Sequence, residues 1–262
     1  MKRLFTNSKL LAANFMGNLK RRFRRYADLC IKSGFMPKII SPVQAFAKFV
    51  SAIWVYIQVG RIRVVGAHKL DAEGHLIFCP NHSAMFDALI IYRLMKRKPR
   101  YMAAYEEMEG AGGWKQVLMG AAGCFPVDRS KGGTVIEPAV KALVDEKALV
   151  IFPEGKISET GEYLPFKTGS ARIAIGACKQ LGHSQKVGIV PIQICYNRRD
   201  NATAGSGFGK MGFKWRGGAT VTVGDPIYVH EIEPLTPRKV TQIVRDAIVR
   251  QSCPTSFDTP SN

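Results

Sequence analysis

Two short segments carry residues whose types and spacing suit acid–base chemistry. The first is Asn81-His82-Ser83-Ala84-Met85-Phe86-Asp87, directly after the apolar run that ends at Cys79-Pro80. On a regular helix, positions five apart point roughly 140° away from each other, so His82 and Asp87 would not meet. Ser83 suits an N-cap, which leaves His82 in the preceding loop and Asp87 near the first helical turn. A loop histidine can fold back onto such an aspartate. The carboxylate then fixes the imidazole tautomer and steadies the imidazolium, and the other ring nitrogen is free to take a proton. That is a general base with its orienting group, and it implies no serine or cysteine nucleophile. The plainer reading is a turn histidine beside an aspartate favoured by the helix dipole.

The second segment is Phe152-Pro153-Glu154-Gly155, continuing as Lys156-Ile157-Ser158 and then Phe166-Lys167-Thr168-Gly169. Pro and Gly turn the chain sharply after an apolar run and expose Glu154 where α/β sheets hold ligands; an ordinary surface turn is the alternative. Gly123-Cys124-Phe125-Pro126-Val127-Asp128-Arg129 has the same form, with Arg129 just past a strand end, or an ion pair of Asp128 as the simpler account. Val190-Pro191-Ile192 sets a proline inside an apolar run, as at an edge strand or a bulge.

These residues need a scaffold, and the chain from 61 to 230 reads as alternating strands and helices. Strands are expected at Arg61–Val65, His75–Cys79, Gly123–Val127, Ala148–Phe152, Val187–Tyr196 and Ala219–Val223, most of them rich in Val and Ile and bounded by Gly, Pro or Asp. Helical patterns fall at Ala88–Lys96, Val135–Val144 and Ser170–Gln180. The expectation is an α/β domain with a central, mostly parallel sheet covered by helices. Thr236-Pro237 then makes a cap and first turn for a C-terminal helix within 231–262.

Composition bounds the rest. A chain of 262 residues that is 46% apolar can bury a core, which excludes general disorder. No run of 18 apolar residues occurs, so no membrane-spanning helix is expected; Phe46–Val59 is interrupted by Lys48, Ser51 and Gln58. Six widely spaced cysteines, without a Cys-x-x-Cys pair, read as reduced core thiols and not as a disulfide framework or zinc site.

The net charge of +18 attracts polyanions, of which nucleic acid and anionic membrane are the common ones. Residues 1–38 hold ten Lys or Arg and one acid, Asp28, and therefore about half of the excess. Aromatics flank and interrupt the cluster Lys20-Arg21-Arg22-Phe23-Arg24-Arg25, so residues 1–60 are expected to be a basic, amphipathic helical segment lying on a membrane surface. A solvated charged helix, a nucleic-acid arm and an organellar transit segment are the alternatives for this zone.

Taken together in chain order, the four segments from Asn81-His82 to Val190-Pro191-Ile192 resemble the glycerolipid acyltransferase family, which includes the enzymes that make phosphatidic acid from lysophosphatidic acid. The resemblance runs over about residues 60–230, and Phe152-Pro153-Glu154-Gly155 is its most specific part. It implies that His82 is the general base on the acceptor hydroxyl and Asp87 its orienting partner. Arg129, Glu154, Gly155 and Lys156 would hold the phosphate-bearing acceptor, and Pro191 would shape the acyl-donor side. It implies transfer from acyl-CoA or acyl carrier protein, with no metal or other cofactor. Its partners would be a lysophospholipid and the phospholipid surface, on the cytoplasmic face, and not nucleic acid. One departure stands out: Lys156-Ile157 occupies the place where the lysophosphatidate enzymes usually carry Thr-Arg. A lysine is a compact charge where an arginine is a two-pronged fork, so an acceptor other than lysophosphatidate is the main alternative. A noncatalytic lipid-binding protein of the same fold is the second.

Overall fold

A computed structural model describes residues 2–32, 35–110, 113–128, 135–158, 162–182, 184–197 and 217–251, with side chains from Phe15 onward. Two helices come first, α1 (Lys2–Cys30) and α2 (Ser41–Gln58), followed by β1 (Ile62–Val65), β2 (His75–Pro80) and α3 (Phe86–Leu94). Next are β3 (Arg100–Ala104), α4 (Tyr105–Met108), α5 (Trp114–Ala122), β4 (Cys124–Val127), α6 (Ile136–Glu146) and β5 (Ala148–Val150). The chain continues with α7 (Gly169–Leu181), β6 (Val187–Tyr196), β7 (Ala219–Val223), β8 (Ile227–Tyr228) and α8 (Pro237–Arg250). Thr236 caps α8 as expected, its side chain accepting from Lys239 N at 3.3 Å.

The strands form one eight-stranded sheet in the order β1-β7-β6-β2-β5-β3-β4, with β8 also on β6. Strands β6, β2, β5, β3 and β4 are mutually parallel, while β7 and β8 run antiparallel to β6. The expected mostly parallel α/β sheet is thus observed. Side chains alternate across it. Ile77, Cys79, Leu149, Val187 and Ile189 pack with Leu143, Ala174, Ala177, Val240 and Val244 of α6, α7 and α8. Leu76, Phe78, Val150, Val190 and Ile192 pack with Val55, Phe86, Ile90 and Ile91 of α2 and α3.

Register places the two motif segments side by side. Phe78 of β2 pairs with Val150 of β5, and Ile151 N donates to Phe78 O at 3.0 Å. His82 and Glu154 each lie four residues beyond that pair, so both leave the sheet at its carboxyl edge. Pro191 lies inside the sheet and not at an edge, buried and paired with Cys79 of β2. On its other side β8 pairs only as far as Ile189 and β7 begins at Ile192, so the missing proline N–H falls in the gap between them.

Strand β3 and helices α4 and α5 were not expected from the sequence. Arg-Tyr-Met-Ala-Ala holds no β-branched residue, and its strand conformation comes from being sandwiched between β5 and β4. Burial pushes the Cys79 thiol up to about 12, and Cys30, Cys124 and Cys178 are also free thiols. Cys195 is disulfide-bonded, which corrects the expectation of six reduced thiols. Sequence separation says nothing about whether two Cα atoms come within the reach of a sulfur bridge.

Candidate active site

The backbone of β2 ends at Pro80, but its neighbour β6 continues, and the Asn81 side chain fills the difference. Asn81 Oδ1 accepts from Ile194 N at 2.6 Å, and Asn81 Nδ2 donates to Ile194 O at 3.2 Å. A primary amide mimics the next ladder rung, and so fixes where the loop leaves the sheet. His82 follows in that loop.

Helix α3 begins at Phe86 after Met85, and not at a Ser83 cap. The organising group is Asp87, which is fully buried. Its Oδ2 accepts from Ser83 N at 2.6 Å and Ala84 N at 2.7 Å, and lies 3.2 Å from His82 Nδ1. Its Oδ1 accepts from the Tyr196 hydroxyl at 2.6 Å. A buried carboxylate needs such donors to stay ionised. The aspartate therefore ties the loop, the helix start and the end of β6 together while it faces the imidazole. The N–H groups of Ser83 and Ala84 are thereby taken up by Asp87 and are not free to hold an oxyanion.

The second segment braces His82 from behind. Glu154 is 3% exposed, and each of its oxygens accepts a backbone N–H: Oε1 from His82 at 2.7 Å and Oε2 from Leu164 at 2.8 Å. Ser158 N donates to His82 O at 2.9 Å. The Phe152 ring stacks on the imidazole, with centroids 4.0 Å apart and planes at 25°. Burial pushes the Glu154 carboxyl above its ordinary value, opposed by the N–H groups of Leu164 and His82.

The His82 side chain keeps 16% of its exposure, so the ring is held on several sides and still reaches solvent. With Nδ1 facing a carboxylate, the proton is assigned to Nδ1, and Nε2 is the free acceptor. This arrangement can remove a proton from a hydroxyl.

The family model described as Acyltransferase matches residues 61–195, just over half of the chain. The chain belongs to the glycerolipid acyltransferase family. The human 1-acyl-sn-glycerol-3-phosphate acyltransferase alpha is 29% identical over 137 residues, and the Mus musculus protein of the same name is 28% identical over 137. Those alignments cover 50% of this chain and 44% of each relative, so the chain spans less than half the length of the curated relatives it matches. The crystal structure of the 1-acyl-sn-glycerophosphate (LPA) acyltransferase PlsC from Thermotoga maritima superposes with a TM-score of 0.60 at 17% identity. It covers 80% of this chain and 77% of that one, which supports the fold.

In this member of the family, tertiary structure brings together His82, Asp87, Glu154 and Gly155 among the residues singled out beforehand. Lys156 is exposed on the turn beyond Gly155. Pro191 is buried within β6 and has no part in the hydrogen bonds around His82. Arg129 lies outside the described residues. Tyr196 and the Asn81 side chain were missed as positioning groups, because their partners lie 109 and 113 residues away. The Phe152 ring carried a usable signal: it starts the Phe-Pro-Glu-Gly segment, and an aromatic there can shield a base. An open cavity of about 350 Å³ between α6, α7 and the start of α8 is lined by Ile136, Arg172, Ile175, Gly176, Lys179 and Pro237, and by none of the site residues.

Proposed function

We propose that this acyltransferase moves a fatty acyl group from an acyl thioester to the sn-2 hydroxyl of a 1-acylglycerol 3-phosphate, forming phosphatidic acid. The observation that carries the reading is the imidazole of His82 held 3.2 Å from the buried Asp87, with no hydrogen bond on its second nitrogen among the described residues. His82 Nε2 takes the hydroxyl proton as the oxygen attacks the thioester carbonyl. The tetrahedral intermediate collapses with departure of the thiolate, which recovers the proton from the imidazolium. Such a base contributes about 10²–10⁴-fold. The thiolate is a good leaving group, so no covalent acyl-enzyme is required. The donor is acyl-CoA or an acyl carrier protein.

The acceptor resides in a bilayer, and complete extraction costs about 0.8 kcal/mol per CH₂. The N-terminal helices suit a surface that avoids this. Helix α2 turns Gln44, Ser51 and Val55 inward and Phe46, Phe49, Ile53 and Tyr56 outward. Phe15, Met16 and Leu19 are exposed on α1 beside the Lys20–Arg25 cluster. No helix among the described residues is long and apolar enough to cross a membrane. Exposed apolar rings beside cations fit a lipid surface in the plane of the interface, on the cytoplasmic face, better than a nucleic acid.

A lysophospholipid other than lysophosphatidate is the second reading, favoured by Lys156-Ile157 after Glu154-Gly155. Purified protein with acyl-CoA and a panel of lysolipids, followed by free-thiol release, tests both. Turnover is expected with lysophosphatidate and is expected to vanish in His82→Ala. Equal turnover in that variant removes the catalytic assignment, and preference for another lysolipid selects the second reading.

A further inference from the structure

We infer that Lys167, a residue given no role by the motif comparison, is the cation that grips the phosphate of the acceptor. The inference rests on the acyltransferase reading of the His82 site. Its starting point is Gly155, whose φ of +74° lies in the left-handed region that favours glycine. A Cβ built on Gly155 would sit 2.9 Å from Lys167 Nζ, 3.0 Å from Cε and 3.2 Å from Cδ. The outer half of the lysine side chain therefore lies across the bare glycine backbone. Any side chain at 155 would push it away.

The segment that carries the lysine is itself fixed. Lys167 N donates to Pro153 O at 2.8 Å, which clips it to the Pro153-Glu154-Gly155 turn. Leu164 N, three residues earlier, holds Glu154 Oε2. Through Glu154 Oε1 the same turn holds the backbone of His82 at 2.7 Å. Lysine head and catalytic histidine are thus positioned by one small hydrogen-bonded unit.

The ammonium is exposed, and no ion pair involves it among the described residues. The carboxylate of the turn on which it lies, Glu154, is buried with both oxygens engaged by N–H groups. The methylenes are immobilised and the charge is left facing outward. A phosphate is the ligand such a group suits. Helix α7 begins at Gly169, so the positive end of its dipole adds to the potential there.

Phosphate oxygens reach this site from two sources, the acceptor headgroup and the nucleotide end of acyl-CoA. The acceptor fits better. Its phosphate lies a few bonds from the reacting hydroxyl, whereas the nucleotide phosphates lie a whole pantetheine arm away from the thioester.

The test uses full-length protein, acyl-CoA and lysophosphatidate in mixed micelles, with Lys167→Met and Gly155→Ala. Methionine keeps the packing over Gly155 and removes the charge. Alanine keeps the charge and displaces it. For Lys167→Met the acceptor KM is expected to rise about 10–100-fold, as for loss of one charge-assisted hydrogen bond, with the acyl-CoA KM unchanged and circular dichroism as in the parent. Gly155→Ala is expected to raise the acceptor KM by a smaller factor. A rise confined to the acyl-CoA KM assigns the lysine to the donor and overturns the inference. So do unaltered KM values for both substrates. Absence of turnover by the parent protein on every lysolipid is a different result, which ends the functional reading itself.

Discussion

At the scale of single residues, His82 is defined by what surrounds it. Of the five histidines, His75 is also buried, but its Nδ1 contacts Leu143 O at 3.0 Å and no carboxylate. That is a core histidine satisfied by a helix carbonyl. His82 instead has Asp87 on one nitrogen, Phe152 on its face and Glu154 on its backbone. Asp87→Asn turns a four-fold acceptor into a group whose NH₂ must face donors, and it removes the charge that steadies the imidazolium. A fall in kcat of about 10²–10⁴-fold is expected, with acceptor KM little changed; steady-state kinetics check it. Glu154 makes a second, pH-dependent prediction. Its folded value is raised by burial, so between the ordinary carboxylate value and that raised value the unfolded chain loses its proton first, and stability falls as pH rises. Glu154→Gln removes this liability but keeps only one acceptor for the two N–H groups. The substitution is therefore expected to cost less stability at pH 7 than at pH 4 in urea titrations. A larger cost at neutral pH would mean that the two N–H groups outweigh burial.

At the scale of elements, the site is a product of unequal strand lengths. Strand β6 outruns β2 by several residues, and Asn81 bridges the difference with its amide. Asn81→Ala leaves Ile194 N–H and C=O without that partner, at about 1–3 kcal/mol for an unsatisfied buried group. A loss of about 2 kcal/mol in urea unfolding is expected, together with lower kcat because the loop holding His82 is no longer seated. Unchanged unfolding would show that water replaces the amide. The N-terminal elements are likewise docked and not free. Arg100, 6% exposed, donates through Nη1 to Pro37 O at 2.5 Å and pairs through Nη2 with Glu146 at 3.0 Å. Ile40 N donates to Ala121 O at 3.0 Å, and a Cβ on Gly120 would meet Pro37 Cβ at 2.8 Å.

At the scale of the whole molecule, the apolar outer face of α1 and α2 continues onto α5, where Trp114 is 60% exposed, its ring 4.3 Å from that of Phe23, and Leu118 is exposed. Phe46 on α2 is 67% exposed. Deleting residues 1–38 would also strip packing from α5, since Ala27 and Cys30 are buried. The cleaner variant is Phe46→Ser with Phe49→Ser, both exposed, which leaves the docked face intact. Sedimentation with anionic vesicles is expected to fall several-fold in this double variant and to weaken with salt, at about 1 kcal/mol for each basic side chain near the surface. Binding unaffected by the two serines would show that charge alone, and not insertion of the rings, holds the protein to lipid.

The sequence by itself determined most of the alternation of strands and helices between β1 and β7, β3, α4 and α5 apart, because apolar runs and helical periods are local properties of the chain. It also determined the chemical pieces, His82, Asp87 and the Phe152–Gly155 turn, and placed each just past a strand. Tertiary structure decided which pieces meet. The pairing of Phe78 with Val150 sets Glu154 behind His82; Tyr196 reaches Asp87 from 109 residues away; and Lys167 lies across Gly155 only because the glycine is bare. Strand β3 escaped the sequence for the same reason. Register, strand length and contacts between distant segments depend on the packed sheet as a whole, and no window along the chain contains them.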